Sequence, residues 1–130
     1  MLKQYLYIST APDLTTTQVD AILDKSARKN ARSGISGMLI YNGRNFLQLL
    51  EGQGSALDAL MHTIAQDPRH SGITMLHSGV IDAPQCAGWA MKRVALASGM
   101  NERRNQLRSE FPAGLHPDIH RIVRNFAMLN

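Results

Sequence analysis

The first half of the chain alternates strand-like segments with one amphipathic helical segment. Leu2–Ser9 is rich in strand-forming side chains and precedes a Pro-Asp pair, which predicts a first strand. A Thr-x-x-Gln capping box at Thr15 begins a helical pattern of apolar residues that ends at Gly34, a residue that favours a helix end. Ile35–Tyr41 and Asn45–Glu51 follow as two strands, and the Asn-Gly pair between them predicts a hairpin because both residues tolerate positive φ.

The second half continues the alternation and ends in helices. A Ser-x-x-Asp pair at Ser55 predicts the start of a second helix, which closes near Pro68. Ile73–Ile81 and Trp89–Leu96 are predicted as the fourth and fifth strands, and a polar helix is predicted near Asn101–Arg108. A last amphipathic helix is predicted from the apolar residues Ile119, Ile122, Val123 and Phe126.

This order of elements predicts an α+β, ferredoxin-like β-α-β-β-α-β-β fold with one additional strand. Apolar side chains alternate onto both faces of the first and third strands, so both faces of the sheet are expected to be covered. The two right-handed crossover helices share one face, which leaves the C-terminal helices for the other. We therefore predict a sheet domain over residues 1–97 and a helical cap over residues 98–130.

The composition excludes several classes of protein. The chain has 130 residues, of which 44% are hydrophobic and 18% charged, as expected for one folded domain rather than a disordered chain. No apolar run reaches the roughly 18 residues of a membrane span, and the N-terminus lacks the pattern of a secretory signal. The single cysteine, Cys86, cannot form an internal disulfide. Together these features favour a cytoplasmic protein.

The net charge of +4 is concentrated in the C-terminal part of the chain. Residues 1–91 hold seven basic and seven acidic side chains, whereas residues 92–130 hold seven basic and three acidic ones. A basic tail can attract nucleic acid or an acidic protein partner. Because no aromatic residues interleave these charges, a solvated helix surface is the favoured interpretation, and nucleic acid is not expected as a partner.

Two amides occupy positions where a buried apolar residue is expected. Gln48 lies in the middle of an apolar strand, and Asn30 continues the apolar stripe of the first helix. Each has an ordinary alternative: Gln48 can bond to backbone or water, and Asn30 can cap its helix. Pairing of the first and third strands brings Tyr7 beside Gln48, with Asn30 above them if all three share a face. Such a cleft suits a planar, hydrogen-bonding heterocycle.

Two motifs in this order and spacing resemble the BLUF domains, which are blue-light sensors using FAD. They are Gly-Ile-Ser-Gly at 34–37 and Phe-Leu-Gln-Leu-Leu-Glu-Gly at 46–52. The resemblance covers residues 3–96 and also includes Tyr7-Ile8-Ser9, the helix end through Asn30, Asp67-Pro68-Arg69-His70 and Trp89-Ala90-Met91.

The resemblance implies a role for each matched residue. Tyr7 is implied to be the photochemical donor of an electron and a proton, Gln48 to bridge Tyr7 and the flavin, and Asn30 to bind the polar edge of the flavin ring. Trp89 and Met91 match the pair on the fifth strand through which the family is thought to pass its signal, although core packing is the ordinary alternative for both. The flavin-binding residues implied are Tyr7, Ser26, Lys29, Asn30, Gln48, Arg69 and His70.

The chain departs from the family pattern at two positions. Lys29 stands where the family often has the first of two asparagines, and Thr63 stands where it often has Arg or His in the second helix. We expect a rearranged set of contacts to the flavin rim or phosphates, with Lys29, Arg28 or Arg69 supplying the positive charge.

Three other signals are set aside at this stage. His116 and His120 have the i, i+4 spacing of a metal site, but no third ligand lies near them in the sequence. Cys86 has no adjacent base, so it is not expected to be a nucleophile. Gly52-Gln53-Gly54 lacks the lysine and the spacing of a phosphate-binding loop, and a turn is expected there.

The leading hypothesis is a non-enzymatic photoreceptor that binds FAD non-covalently. One alternative is an acylphosphatase-type hydrolase, but the first strand–helix loop, Thr10-Ala11-Pro12-Asp13, offers no anion-binding arginine. A second alternative is a nucleic-acid-binding module with a basic tail, but a sheet covered on both faces leaves no platform for bases. We expect no effector segment after residue 130, and therefore output through a separate protein partner or a homo-oligomer.

Overall fold

The computed structural model describes residues 1–86, 89–96 and 99–129, and the elements within them follow the predicted order. None of the helices in these ranges is both long and apolar enough to cross a bilayer. The strands are β1 (Leu2–Thr10), β2 (Ser36–Tyr41), β3 (Asn45–Gln53), β4 (Ser71–Val80) and β5 (Lys92–Ala95), and the helices are α1 (Thr16–Ser33), α2 (Gly54–Ala65), α3 (Met100–Ser109) and α4 (Pro117–Leu129).

The strands form one sheet in the order β4-β1-β3-β2-β5. The first four strands pair antiparallel, as in a ferredoxin-like fold, and β5 adds to the free edge of β2 in parallel orientation. The α+β, ferredoxin-like prediction with one additional strand is therefore confirmed. β5 is also the strand that precedes the C-terminal helices along the chain.

Local sequence signals fix both ends of α1. The Thr15 hydroxyl accepts a hydrogen bond from the Gln18 backbone N–H at 3.1 Å, and the Gln18 side chain accepts one from the Thr15 N–H at 2.8 Å. Gly34 ends the helix in the left-handed region, at φ 68°, which carries little steric cost for glycine. The predicted capping box and helix end are both confirmed.

The predicted start of α2 is wrong in detail. The helix begins at Gly54, and its N-cap residue, Gln53, makes no capping hydrogen bond with its side chain. Ser55 therefore lies inside the helix instead of capping it. The Asp58 carboxylate accepts a hydrogen bond from the Tyr5 hydroxyl at 2.6 Å. Asp58, which the sequence pattern predicted as part of the helix cap, therefore makes a tertiary contact instead.

The fifth strand is shorter than predicted, while the fourth is displaced towards the N-terminus by one or two residues. Only Lys92–Ala95 pairs with β2, so Trp89 and Met91 lie in the segment before β5 and not on it. Within this segment the Trp89 carbonyl accepts a hydrogen bond from the Gly37 N–H at 2.9 Å. The neighbouring Ala90 carbonyl accepts a hydrogen bond from the Asn30 side chain at 2.9 Å. At this residue a side-chain contact stands in place of regular strand pairing.

The two faces of the sheet carry two separate hydrophobic clusters, which confirms that both faces are covered. The crossover-helix cluster includes Tyr5, Tyr7, Val19, Phe46, Leu50 and Leu57. The tail-face cluster includes Leu6, Met38, Ile40, Leu47, Leu49, Phe111, Leu115, Ile119, Val123 and Phe126. The C-terminal helices therefore share a core with the sheet.

A buried carboxylate, which the sequence analysis did not single out, anchors the connection between β4 and β5. Glu51 is 1% exposed and lies on the tail face of β3, opposite Gln4 in the β1–β3 register. It accepts hydrogen bonds from the Gln4 side-chain amide at 2.8 Å and from the backbone N–H groups of Gln85 and Cys86 at 3.0 and 2.6 Å. Bonds of this kind to an ionised acceptor are stronger than bonds between neutral groups.

Cys86 is held inside this network. Burial, followed by the nearby Glu51 carboxylate, raises the pKa of its thiol to about 12. The thiolate is the reactive form of cysteine, so the fold suppresses the nucleophilic chemistry of Cys86, in keeping with the sequence-based expectation.

Removal of a buried apolar side chain from α4 tests its place in the core. Ile119 is fully buried against the sheet. We expect Ile119→Ala to lower the free energy of unfolding by about 2–5 kcal/mol, because it leaves a cavity in a packed cluster. Urea denaturation measures the change, and Asn125→Ala, on the exposed face of the same helix, is the control. A loss below about 0.5 kcal/mol in Ile119→Ala, the size expected for a surface change, would show that the tail is not part of the core.

Neutralisation of Glu51 tests the anchor of the β4–β5 connection. In Glu51→Gln an amide NH2 replaces one acceptor oxygen and faces the donor N–H groups of Gln85 and Cys86. We expect the free energy of unfolding to fall by about 1.5–3 kcal/mol, the range for hydrogen bonds to charged groups. Amide hydrogen exchange at residues 85 and 86 should accelerate. Asp82→Asn, an exposed carboxylate in the same connection, should change neither quantity.

Candidate functional site

Tyr7 and Gln48 form the centre of the site. The β1–β3 register places them directly opposite each other, and both side chains are buried on the crossover-helix face. The Tyr7 hydroxyl donates a hydrogen bond to Oε1 of Gln48. Burial raises the pKa of Tyr7 far above its ordinary value, and the charge of Asp67 adds to the effect. The phenol is therefore protonated at any physiological pH and acts here as a donor.

The two neighbours of Gln48 determine which way its amide points. Tyr7 donates its O–H to the amide oxygen, whereas the Met91 thioether can only accept. The Gln48 side-chain NH2 donates to Sδ of Met91 at 3.5 Å, the longer distance expected for sulfur. Rotation of the amide by half a turn would place its oxygen against the thioether, where no hydrogen bond can form. Tyr7, Gln48 and Met91 thus form one directional chain.

Asn30 connects the last turns of α1 to the segment before β5. It is 1% exposed, and its side-chain NH2 donates to the Ala90 carbonyl at 2.9 Å. Helix capping is carried out by Gly34, whose N–H donates to the Asn30 carbonyl. Asn30 is therefore not the C-cap of α1, and its side chain remains for tertiary contacts.

A continuous cleft between α1 and α2 leads from the protein surface to Tyr7 and Gln48. Its outer part has a volume of about 460 Å³ and includes Lys25, Lys29 and Thr63 in its lining. Its inner part, about 70 Å³, reaches Tyr7 and Gln48. The two parts share the lining residues Ser26, Asn30, Leu60, Ile64, Asp67 and Arg69. A flat heterocycle suits the narrow inner part, and the polar, charged outer part suits an attached anionic group.

Lysines supply positive charge at the outer part of the cleft. Lys29 lines it as expected, and so does Lys25, which the sequence analysis did not select. Arg69 lines the cleft too, but its guanidinium pairs with Asp67 at 2.5 Å. That bond lowers the pKa of Asp67 to about 2, so the charge of Arg69 is offset by a neighbouring carboxylate. Arg28 is exposed and lines neither part of the cleft, so the prediction that it supplies charge there is not supported.

The remaining implied flavin-binding residues also lie at the cleft. Ser26 is half-buried and lines both parts. His70 lines the inner part, where Nδ1 lies 2.8 Å from the Ser9 hydroxyl and Nε2 lies 3.1 Å from the Ile64 carbonyl. Since both ring nitrogens already have partners in the fold, His70 offers a ligand its ring surface. Thr63 donates to the Ala59 carbonyl at 3.3 Å and contributes a small polar side chain to the outer part.

Trp89 and Met91 face opposite sides of the sheet. Met91 is buried in the crossover-helix cluster and contacts Gln48. Trp89 is half-buried against the tail-face cluster, with the Lys92 ammonium 4.3 Å from the centre of its ring. The two residues were expected together on β5 as an output pair. Instead, the segment before β5 presents Met91 to Gln48 and the crossover-helix cluster and Trp89 to the tail-face cluster.

Comparisons with known proteins identify the family of this chain. The family model described as sensors of blue-light using FAD matches residues 2–92. The blue light- and temperature-regulated antirepressor BluF of Escherichia coli is 30% identical over 115 residues, which are 88% of this chain. The chain spans only 28% of the length of that relative.

Solved structures show the same fold. Klebsiella pneumoniae BlrP1, solved with FMN and cyclic diGMP, aligns with a TM-score of 0.84 at 28% identity, covering 98% of this chain and 34% of that chain. The dark state of BlrB, a BLUF protein, aligns with a TM-score of 0.74 at 29% identity, covering 99% of this chain and 97% of that chain. The family model matches most of the chain, so the chain belongs to the BLUF family of blue-light sensors using FAD.

Proposed function

We propose that Tyr7, Gln48 and Met91 are the switch of this flavin-binding blue-light sensor. The observation that carries the proposal is the directional hydrogen-bond chain from the Tyr7 hydroxyl through the Gln48 amide to the Met91 thioether. It lies at the inner end of the cleft that the two adjoining cavities form. A change in the orientation of one amide therefore alters a contact with the segment before β5.

The cleft supplies groups suited to each part of the cofactor. FAD, when bound, supplies a ring that absorbs blue light and then accepts an electron. Asn30 and Gln48 would hold the polar edge of that ring, with His70 presenting its ring surface beside them. Ser26, Lys25 and Lys29 line the outer part, where the lysines would neutralise phosphate charge. No cysteine lines either part, so binding is non-covalent in this proposal.

Tyr7 and Gln48 carry out the light-driven step. Tyr7 is the donor of an electron and of its phenolic proton, since it is the buried phenol at the inner end of the cleft. The hydrogen bond of its hydroxyl directs that proton to Oε1 of Gln48. When the electron and the proton return to Tyr7, the Gln48 amide is left rotated or tautomerised. This altered amide is the stored signal.

The stored signal changes the contact with Met91. In the arrangement described here the Gln48 NH2 faces the thioether, and a reoriented amide loses this bond. Met91 and Ala90 belong to one short segment, which Asn30 holds from the cofactor side. The same segment continues directly into β5 and presents Trp89 to the tail-face cluster. A shift of Met91 therefore biases packing on the opposite face of the sheet.

The output is proposed to be a change in the helical cap rather than a catalytic step. In this proposal residues 1–97 bind flavin and residues 98–130 form the cap, although the boundary itself lies outside the described residues. The excess positive charge of residues 92–130 favours an acidic protein partner or a neighbouring subunit of a homo-oligomer. A relative named as an antirepressor supports a protein partner, and a cytoplasmic location fits this role.

Neither alternative function gains support. The loop between β1 and α1 places Ala11, Pro12 and Asp13 where an acylphosphatase-type enzyme needs an anion-binding arginine. Helices and hydrophobic clusters occupy both faces of the sheet, so a nucleic-acid-binding face of stacked aromatic residues is not available on it.

Two substitutions test the photochemical roles. Tyr7→Phe removes the transferable proton and Gln48→Leu removes the amide. We expect both variants to bind FAD and to lose the light-induced red shift of its absorption, measured by difference spectroscopy under blue light. Tyr5→Phe is the matched control, because Tyr5 lies on the same strand face but bonds to Asp58 instead. A stable red-shifted state in Gln48→Leu would contradict the proposed switch.

Met91→Ala tests the link between the switch and the cap. We expect the red shift to persist, because Tyr7 and Gln48 are unchanged. The light-dependent change in hydrogen exchange over residues 99–129 should weaken by an amount equivalent to about 1–3 kcal/mol, the usual size of such couplings. Met61→Ala, in the same cluster but on α2, is the control and should retain the full response. Equal protection of residues 99–129 in dark and light in the unmodified protein would show that the signal leaves by another surface.

A further inference from the structure

Three side chains with metal-ligating groups meet where the edge strand β4 approaches the start of α4. His77 comes from β4, His116 immediately precedes α4, and Asp118 lies in its first turn. One ligand atom from each lies within 4.8 Å of the other two. The imidazole rings of His77 and His116 are 5.0 Å apart at their centres. This cluster is separate from the flavin cleft, whose lining includes none of the three.

The sequence pattern indicated a different pair of histidines as possible metal ligands. His116 and His120 have helical metal spacing, but Nε2 of His120 lies 3.3 Å from the Ala113 carbonyl and bonds within the α3–α4 connection. Tertiary folding instead brings His77 to His116. The third ligand that the sequence lacked is Asp118, whose Oδ2 lies 3.7 Å from Nδ1 of His116.

One pair of these ligand atoms has nearly the separation that a metal centre requires. Bonds of about 2.0–2.2 Å at tetrahedral angles place two ligand atoms of one zinc ion about 3.3 Å apart. The His116–Asp118 separation is within a few tenths of an ångström of this value, and rotation of exposed side chains can close the rest. Nδ1 of His116 accepts a hydrogen bond from the Asp118 N–H at 3.0 Å, which orients the ring. When that nitrogen binds an ion, solvent can satisfy the N–H, as at other helix starts.

We propose that His77, His116 and Asp118 bind one divalent transition-metal ion of the zinc class. Two imidazoles and one carboxylate suit zinc, copper or nickel, whereas magnesium and calcium prefer sets of oxygen ligands. A groove lined by both histidines, and also by Asp82, opens beside the cluster and gives an ion access from solvent.

An ion at this position would connect the sheet to the helical cap. His77 belongs to the sheet edge, while His116 and Asp118 belong to the cap, so the three ligands span both parts. Asp118 also pairs with Arg121 at 3.4 Å, an exposed contact that the ion would replace. Metal binding itself is independent of the light response. Its effect on output rests on the proposed function, because the ion would restrain the same helix that the switch is proposed to move.

Titration with zinc chloride tests the site directly. The flavin-loaded protein, without a polyhistidine tag, is titrated by calorimetry at neutral pH. We expect one zinc ion per chain, and magnesium chloride should show no binding. His77→Gln and His116→Gln should each weaken zinc binding by at least about 100-fold, since even outer-shell partners contribute roughly 10–100-fold to metal affinity. His120→Gln is the matched control and should bind zinc with unchanged affinity.

The flavin absorption spectrum shows that each variant is folded and separates failure of this site from failure of the photoreceptor. Hydrogen exchange then tests the connection between sheet and cap. With zinc, protection of residues 117–129 should rise in the unmodified protein and remain unchanged in His77→Gln. Binding that persists undiminished in both His77→Gln and His116→Gln, or an absence of zinc binding in the unmodified protein, would overturn the proposal.

Discussion

A glutamine in the middle of a buried strand is the constraint on which the rest of the site depends. Its amide offers two donors and an acceptor, and a buried amide without partners is costly. Tyr7 satisfies the acceptor from the neighbouring strand, and Met91 accepts from the amide NH2. Because sulfur is a weak acceptor, this second bond is easily exchanged. Gln48 therefore has one firm partner and one replaceable partner, which is the arrangement that a switch requires.

The same two strands carry a second polar network on their other face. Gln4 and Glu51 oppose each other on the tail face, just as Tyr7 and Gln48 do on the cleft face. Glu51 holds the chain at Gln85 and Cys86, and Asn30 holds it at Ala90. The segment that carries Met91 is thus restrained on both sides of the sheet. Met91 lies between these anchors and β5, and Trp89, two residues before it, packs against the tail-face cluster.

The two C-terminal helices differ in how they contribute to the fold. α4 buries Ile119, Val123 and Phe126 against the sheet, whereas α3 has no buried residue among its ten. One helix therefore gains its stability from burial of apolar surface, and the other makes mainly polar contacts. The proposed metal cluster lies at the start of α4.

The sequence by itself determined the order of the elements, the ends of α1, the hairpin and the two covered faces, because each depends on residues close together in the chain or on strand alternation. It also placed Tyr7 opposite Gln48, since the fold class sets which strands pair. Only the tertiary structure decided the short β5, the opposite directions of Trp89 and Met91, and the roles of Lys25 and Glu51. The partners of these residues are distant in the sequence. The N–H groups of Gln85 and Cys86 donate to Glu51, and the Asn30 side chain donates to the Ala90 carbonyl. The meeting of His77 with His116 has the same cause, because no local pattern encodes which loop a folded helix brings to the edge of a sheet.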